Sequence, residues 1–365
     1  MNSNDRYIII FSGYNQRAVL AFLRTLEKNN ISKYIIIAKS VDDEILKTNY
    51  RSKVAKIRCN TNLNITEIID LLTELKSKFS FAEYIIAPST EAINRFVLKY
   101  REKFLLNGMV NILVPKELYE NVSDKKKFGD ICECNGISVP KELGFPNEFH
   151  QPFVAKPISY FASNGLVLSP IIIHSSEDYY TFLNNNNIED YYFQEYIEGQ
   201  SIYLLYYIRK DGKVFSASQE NFMQQPNGKS ILVAKMSNFH ESIFAKPYFD
   251  LLSILKYYGF IMIEVRVALE GIYMIEANPR FWGPSQLFVD SGYNFFECFL
   301  QEYGFVSNIT LSSNSDVMYY WHGGTKGTNE HKYYSGYGDK YEQELSILLN
   351  NDIYNRNDSK QLFEK

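Results

Sequence analysis

Glu264 and Glu276 stand twelve residues apart, and Glu270-Gly271 between them offers a tight turn. The flanking runs Ile261-Met262-Ile263 and Tyr273-Met274-Ile275 read as two antiparallel strands, which sets the two carboxylates opposite one another across a hairpin. Facing carboxylates repel unless a cation lies between them. Side chains on one face of a strand recur every second residue, so Glu276, Asn278 and Arg280 share a side. Two carboxylates and an amide oxygen make a hard donor set suited to Mg²⁺, which leaves positions for phosphate oxygens. We therefore expect Glu264, Glu276 and Asn278 as metal ligands, with the Arg280 cation beside them. The plain alternative is an acidic hairpin facing solvent, against which the apolar flanks argue.

Two lysines are placed to meet anions. Lys156 ends the apolar run Phe153-Val154-Ala155, where a buried ammonium is costly without a partner. The loop that follows, Ser159-Tyr160-Phe161-Ala162-Ser163-Asn164-Gly165, is of the kind that folds over phosphates with its backbone N–H groups. Lys125 opens an expected helix after Ser123-Asp124, where a helix N-terminus also favours anions. By itself, Lys125-Lys126-Lys127 reads equally as a solvated charge run. A third stretch, Phe193-Gln194-Glu195-Tyr196-Ile197-Glu198-Gly199, ends a strand and can sandwich a planar base while its backbone reads the base edge. An ordinary amphipathic strand and turn fits that stretch as well.

The elements that must position these groups fall into two textures. In the first third, strand-like runs at 7–11, Tyr34–Ala38, 84–87 and 112–114 alternate with helical patterns at 16–27, Ile65–Phe79 and 89–103. Such alternation predicts a doubly wound parallel sheet. Gly13 alone is not a dinucleotide fingerprint. After a helical stretch at 123–136, strand-like runs come in pairs: 153–155 with 166–168, 191–197 with 202–208, and 261–267 with 272–277. Asp211-Gly212 marks a further hairpin, and 249–258 reads as a helix. That part is antiparallel α+β, and from Asn308 onward the chain turns polar and irregular.

Composition narrows the classes. The 365 residues include 29 Tyr and 26 Phe, apolar surface enough for more than one core, and a net charge of −4 calls for neither nucleic acid nor an anionic membrane. No apolar run reaches membrane-spanning length, and the first residues lack signal-peptide character, so a cytoplasmic protein is expected. Cys59, Cys132, Cys134 and Cys298 lack zinc spacing and read as reduced packing cysteines. The five histidines are scattered, and no nucleophile–base arrangement is evident.

Taken in order, Asp124-Lys125, a strand ending in Lys156, a short loop, Gln194-Glu195-Tyr196-Ile197-Glu198-Gly199, Ile263-Glu264-Val265 and Glu276-Ala277-Asn278-Pro279-Arg280 resemble the ATP-grasp superfamily over about residues 123–297. Asn278-Pro279-Arg280-Phe281-Trp282-Gly283 is most similar to its carbamoyl-phosphate-synthase-like carboxylate–amine ligases. The resemblance implies a pre-ATP-grasp domain over 1–115, an ATP-grasp domain over 116–310 and a C-terminal extension over 311–365. It also implies ATP and two Mg²⁺ or Mn²⁺ ions, with Lys125, Lys156, Ser163 and Gly165 at the phosphates. Gln194, Glu195, Ile197 and Ile275 would surround adenine and Glu198 would reach the ribose. Glu264, Glu276 and Asn278 would hold metal, Arg280 would stabilise the transferred groups, and Lys229 would contact phosphate or substrate. Trp282, Pro284, Ser285 and Glu91 are expected around the acceptor. The implied reaction joins a small carboxylate and an amine (amino acid, peptide or amino sugar) through an acyl phosphate, in a possible homodimer. A carboxylase, a kinase or an inactive nucleotide sensor are the alternatives. Two departures stand out: the loop carries one glycine, and Ser201 replaces the usual ribose-binding acid.

Overall fold

The computed structural model describes residues 6–158, 168–312, 314–327 and 330–364. Its first third is a parallel sheet of β1 (Arg6–Phe11), β2 (Tyr34–Ala38), β3 (Val54–Ile57) and β4 (Glu83–Ile86), in the order β3-β2-β1-β4. β2 is buried along its whole length, as a run of Ile between helices requires. Helices α1 (Gln16–Lys28), α2 (Ile65–Phe79), α3 (Glu91–Lys99) and α4 (Arg101–Leu106) accompany it. Three expectations shift in detail. Thr90, not Ser89, caps α3 by accepting from the Ile93 N–H. The helix expected over 89–103 breaks at Tyr100 into α3 and α4. Residues 112–114 form no strand; a single parallel bridge from Tyr84 to Met109 takes their place.

Helices α5 (Lys116–Ser123) and α6 (Lys125–Cys134) lead into a small sheet of β5 (Glu142–Leu143), β6 (Phe153–Pro157), β7 (Ile171–Ile173) and β8 (Tyr191–Glu195), in the order β5-β8-β6-β7. Helix α7 (Ser176–Asn185) closes its own small core around Phe153, Ile173, Tyr179, Phe182 and Phe193. β6 therefore pairs with 171–173 on one side and with β8 on the other, while 166–167 lie outside the described residues and Leu168 is not in a strand.

The remaining sheet contains β9 (Gln200–Ile208), β10 (Val214–Gln224), β11 (Ile231–Ser237), β12 (Gly259–Val267), β13 (Ile272–Asn278) and β14 (Met318–Tyr320), with β15 (Lys332–Tyr333) pairing β10. Its order is β13-β12-β9-β10-β11-β14. The runs at 191–197 and 202–208 are not partners: β8 joins the small sheet and β9 the large one, so residues 196–199 cross between them. Gly199 is required there, since a Cβ would stand 2.4 Å from the Val267 carbonyl oxygen. Helices α8 (Lys246–Ile254), α9 (Ser285–Ser291) and α10 (Phe295–Glu302) follow; α8 ends four residues earlier than its pattern suggested. An aromatic cluster of Phe22, Phe260, Phe281, Phe296 and Phe299 fuses the parallel and large sheets into one core. The end of the chain is ordered beyond expectation. β14 extends the large sheet, helix α11 (Gly338–Asn350) packs on it, and Asp358 accepts from Arg24 of α1 at 2.7 Å.

Candidate active site

The β12–β13 hairpin aligns Glu264 with Glu276, with a register shift just beyond. Glu264 is buried and Glu276 half-buried. Asp124 caps α6 by accepting from the Lys126 and Lys127 N–H groups, which sets Lys125 in the first turn against β13. There the Lys125 Nζ meets Glu276 Oε2 at 2.5 Å. Asn278 donates to Glu276 Oε1 at 2.7 Å, and Arg280 donates to Asn278 Oδ1 at 2.7 Å. Burial alone would raise the Glu276 pKa, but Lys125, Asn278 and Arg280 hold it at about 2.

Glu264 has a different partner. Arg266 Nη1 lies 2.8 Å from its Oε1, while the Ser201 hydroxyl donates to that oxygen at 3.4 Å. Burial raises the Glu264 pKa against the pull of Arg266, and the Glu276 charge adds to the rise. Arg266 is anchored behind by the Tyr334 hydroxyl at 2.8 Å, which in turn donates to Gln224 Oε1 at 2.5 Å. Lys156, 7% exposed, reaches across from the small sheet and, among the described residues, donates only to the Ile275 carbonyl, at 3.4 Å. Burial first, then Lys125 and Arg266, lower its pKa to about 7 despite the two glutamates.

No family model matches the sequence, and no curated protein matches it. Solved structures do match. A biotin carboxylase from Campylobacter jejuni, solved as a β,γ-ATP complex, superposes with a TM-score of 0.59 at 15% identity, over 85% of this chain and 74% of that one. An L-amino acid ligase from Bacillus licheniformis gives 0.59 at 15%, over 82% and 74%. An N5-carboxyaminoimidazole synthetase from Staphylococcus aureus gives 0.59 at 14%, over 85% and 79%. The chain has the ATP-grasp fold.

Within this ATP-grasp fold the expected site residues divide. Lys125, Lys156, Ile275, Glu264, Glu276, Asn278 and Arg280 converge on the hairpin, as the contacts above show. Ser163 and Gly165 lie outside the described residues. Gln194 spends its amide on the Pro140 carbonyl at 3.1 Å, and the Glu195 carboxylate accepts from the Lys141 N–H at 2.9 Å. Ile197 is half-buried in the crossover and Glu198 is exposed, paired with Lys332 at 2.8 Å. Lys229 is exposed in the β10–β11 turn, its carbonyl accepting from Gln224. Trp282 is 1% exposed among Phe260, Phe288 and Phe295, which makes it a core side chain rather than a pocket wall. Ser285, fully buried, likewise turns its hydroxyl to the Trp282 carbonyl. Glu91 pairs with Arg95 at 2.6 Å.

Sequence reasoning missed Arg266, Tyr334 and Lys332. The two-residue period that linked Glu276 to Asn278 also links Glu264 to Arg266, so that one was within reach. Nothing local places Lys332 and Tyr334 beside a strand more than sixty residues earlier.

The residues fit a divalent cation. The carboxylates of Glu264 and Glu276 and the amide oxygen of Asn278 supply hard oxygens, and the two carboxylates are balanced by Lys125 and Arg266. No group of three or more His, Cys, Asp or Glu side chains suited to a metal occurs among the described residues.

Proposed function

We propose that the chain is an ATP-dependent carboxylate–amine ligase. The observation that carries this reading is the convergence of Lys125 from α6 and Lys156 from β6 onto the hairpin that carries Glu264, Glu276, Asn278 and Arg280. The similar biotin carboxylase and L-amino acid ligase structures support it. Lys125 and Lys156 bind the ATP phosphates, and the loop with Ser163 and Gly165 covers them. Residues 194–198 and Ile275 flank the nucleoside, with Glu198 toward the ribose. Mg²⁺ held by Glu264, Glu276 and Asn278, as one or two ions, supplies charge neutralisation at the phosphates.

A substrate carboxylate oxygen bonds to the γ-phosphorus as the bond to ADP breaks. The amine nitrogen then bonds to the acyl carbon, phosphate leaves with the carbon–oxygen electron pair, and the amine gives up a proton. Arg280 offers a planar fork to the acyl phosphate and the developing oxyanion, a contribution of roughly 3–4 kcal/mol for one such donor. Lys229 approaches the same groups from the β10–β11 turn. Amino acids, peptides and amino sugars are the substrate classes to try, with Mn²⁺ beside Mg²⁺.

Incubation with ATP and a panel of acids, without amine, should release ADP and form a hydroxamate when hydroxylamine is added. A phosphorylated product that resists hydroxylamine would sink the ligase reading in favour of a kinase. A carboxylase is the second reading, since the similar structures include a carboxylase domain solved with MgADP and bicarbonate. Bicarbonate-dependent ADP release with no response to other acids would select it.

A further inference from the structure

The carboxyl ends of β1, β2 and β3 lie along one edge of the parallel sheet, because the strands run in register in the same direction. β1 leads into Ser12-Gly13-Tyr14-Asn15, β2 into Lys39 and β3 into Arg58. Gly13 takes φ +80°, and a Cβ there would stand 2.4 Å from the Lys39 Cβ, so the first two loops touch. Tyr14 sits between two cations: the Lys39 Nζ is 4.8 Å from its ring, and the Arg58 guanidinium is 5.5 Å away.

Arg58 is 4% exposed. Its Nη2 donates to the Tyr14 hydroxyl at 2.8 Å and to the Thr61 carbonyl at 3.2 Å, but Nε and Nη1 have no hydrogen-bond partner among the described residues. Helix α1 starts at Gln16 with no side chain capping its end. Gln16 is 8% exposed, and neither atom of its amide has a partner. The nearby acids are committed elsewhere. Asp43 accepts from the Ser12 hydroxyl and the Lys39 and Ile45 N–H groups. Glu67 accepts from Cys59 and Asn60, which together with the charge of Arg58 lower its pKa against burial, but among the described residues no ion pair joins Glu67 to Arg58.

A buried guanidinium with two idle donors beside an uncapped helix N-terminus is costly unless something anionic joins it. Open parallel sheets bind ligands at the carboxyl ends of their strands. We propose that this crevice binds the carboxylate or phosphate group of a small molecule, held by Arg58 and the amino end of α1 with Lys39 at the rim. The same loop touches the candidate active site. Asn15 donates to the carbonyls of Ser89 and Phe281, both at 3.2 Å, and Phe281 follows Arg280 directly. That the bound molecule is a substrate of the ligase rests on the proposed function; the anion site itself does not.

The test uses the full chain without ATP or divalent metal, titrated with inorganic phosphate in one arm and malonate in the other, read by calorimetry and melting temperature. Saturable binding of either is expected, phosphate alone marking a phosphate ligand and malonate alone a carboxylate. Arg58→Gln should weaken it by about tenfold or more, as loss of a charged hydrogen-bond donor implies. Lys39→Glu, at a half-buried rim position, should weaken it as well and carries the test if Arg58→Gln does not fold. Binding should survive in Lys156→Ala. No saturable binding in either arm overturns the proposal. So does binding that is lost in Lys156→Ala and kept in Arg58→Gln, which would put the anion in the nucleotide site. Neither result touches the hydroxamate assay.

Discussion

The two walls of the hairpin site are completed to different degrees. On the large sheet, each carboxylate already has its cation: Glu276 has Lys125 at 2.5 Å and Glu264 has Arg266 at 2.8 Å. On the small sheet, Lys156 is buried and, among the described residues, donates only to a carbonyl, and its pKa falls to about 7. A wall of satisfied pairs is stable as it stands, whereas a buried lysine with no acid favours its neutral form. The difference assigns the walls separate tasks in the proposed reaction. Under the proposed function, the large sheet would serve as a preset metal and phosphate platform, and the small sheet would contribute a cation that the incoming nucleotide completes.

The platform is the more sensitive wall. Glu276→Gln keeps the shape but removes the charge that pairs with Lys125 and would hold the metal, so turnover should fall about a thousandfold or more, with the fold kept but the melting temperature lowered because Lys125 loses its partner. Near wild-type turnover in limiting Mg²⁺ would erase the contrast between the walls.

Lys156 tests the other wall. ATP at a hundred times its dissociation constant adds about 2.7 kcal/mol of stability, and Lys156→Ala should lose most of that shift. An unchanged ATP-induced melting shift would remove Lys156 from the site. The sign of the pH effect follows from the lowered pKa. The folded chain binds fewer protons at Lys156 than the unfolded chain between about 7 and the ordinary lysine value of 10.5. The Lys156 contribution to stability therefore rises with pH across that window, and it is least favourable below about 7, where the buried lysine is charged. Lys156→Met should flatten that rise. ATP needs the charged form, so at pH 8 binding should take up a proton, seen as buffer-dependent binding heats that vanish in Lys156→Met.

How much of this was legible beforehand depends on how local the cause is. The hairpin was readable because Glu270-Gly271, a two-residue period and apolar flanks all act within the same short stretch, and the Glu264–Glu276 register followed. The parallel sheet was readable from alternating patterns for the same reason. The partner of β8 was not, because residues 196–199 look like a hairpin turn but pass between two sheets, a choice made by distant packing. Trp282 misled because its neighbours in sequence carry chemistry, while its ring fills the core shared with Phe260 and Phe288. Lys332 and Tyr334 had no signal at all, since their partners Glu198 and Arg266 come from other strands and loops.

Arg280 sits at the edge of the platform, bonded to Asn278 and to the Phe281 carbonyl. Arg280→Lys keeps a charge but loses the fork, so ATP binding should persist while ligation falls roughly ten- to a hundredfold, the worth of one charge-assisted hydrogen bond. Measuring kcat beside the ATP dissociation constant separates the two. A loss as deep as that of Glu276→Gln would make Arg280 part of the metal platform instead.

The smallest effect is expected where the walls are joined at the crossover. Lys332 lies 2.8 Å from Glu198 and 5.7 Å from the centre of the Tyr196 ring, so a strand near the end of the chain clasps the proposed ribose contact. Glu198 is exposed, and exposed ion pairs contribute about 0–1 kcal/mol. Lys332→Ala should therefore barely change the melting temperature. Freeing the Glu198 carboxylate for the ribose hydroxyls should tighten ATP binding slightly, by about threefold or less, within the energy of one such pair. Weaker ATP binding in Lys332→Ala would mean that Lys332 holds Glu198 in place for the nucleotide rather than competing with it, and the clasp would then belong to the preset wall.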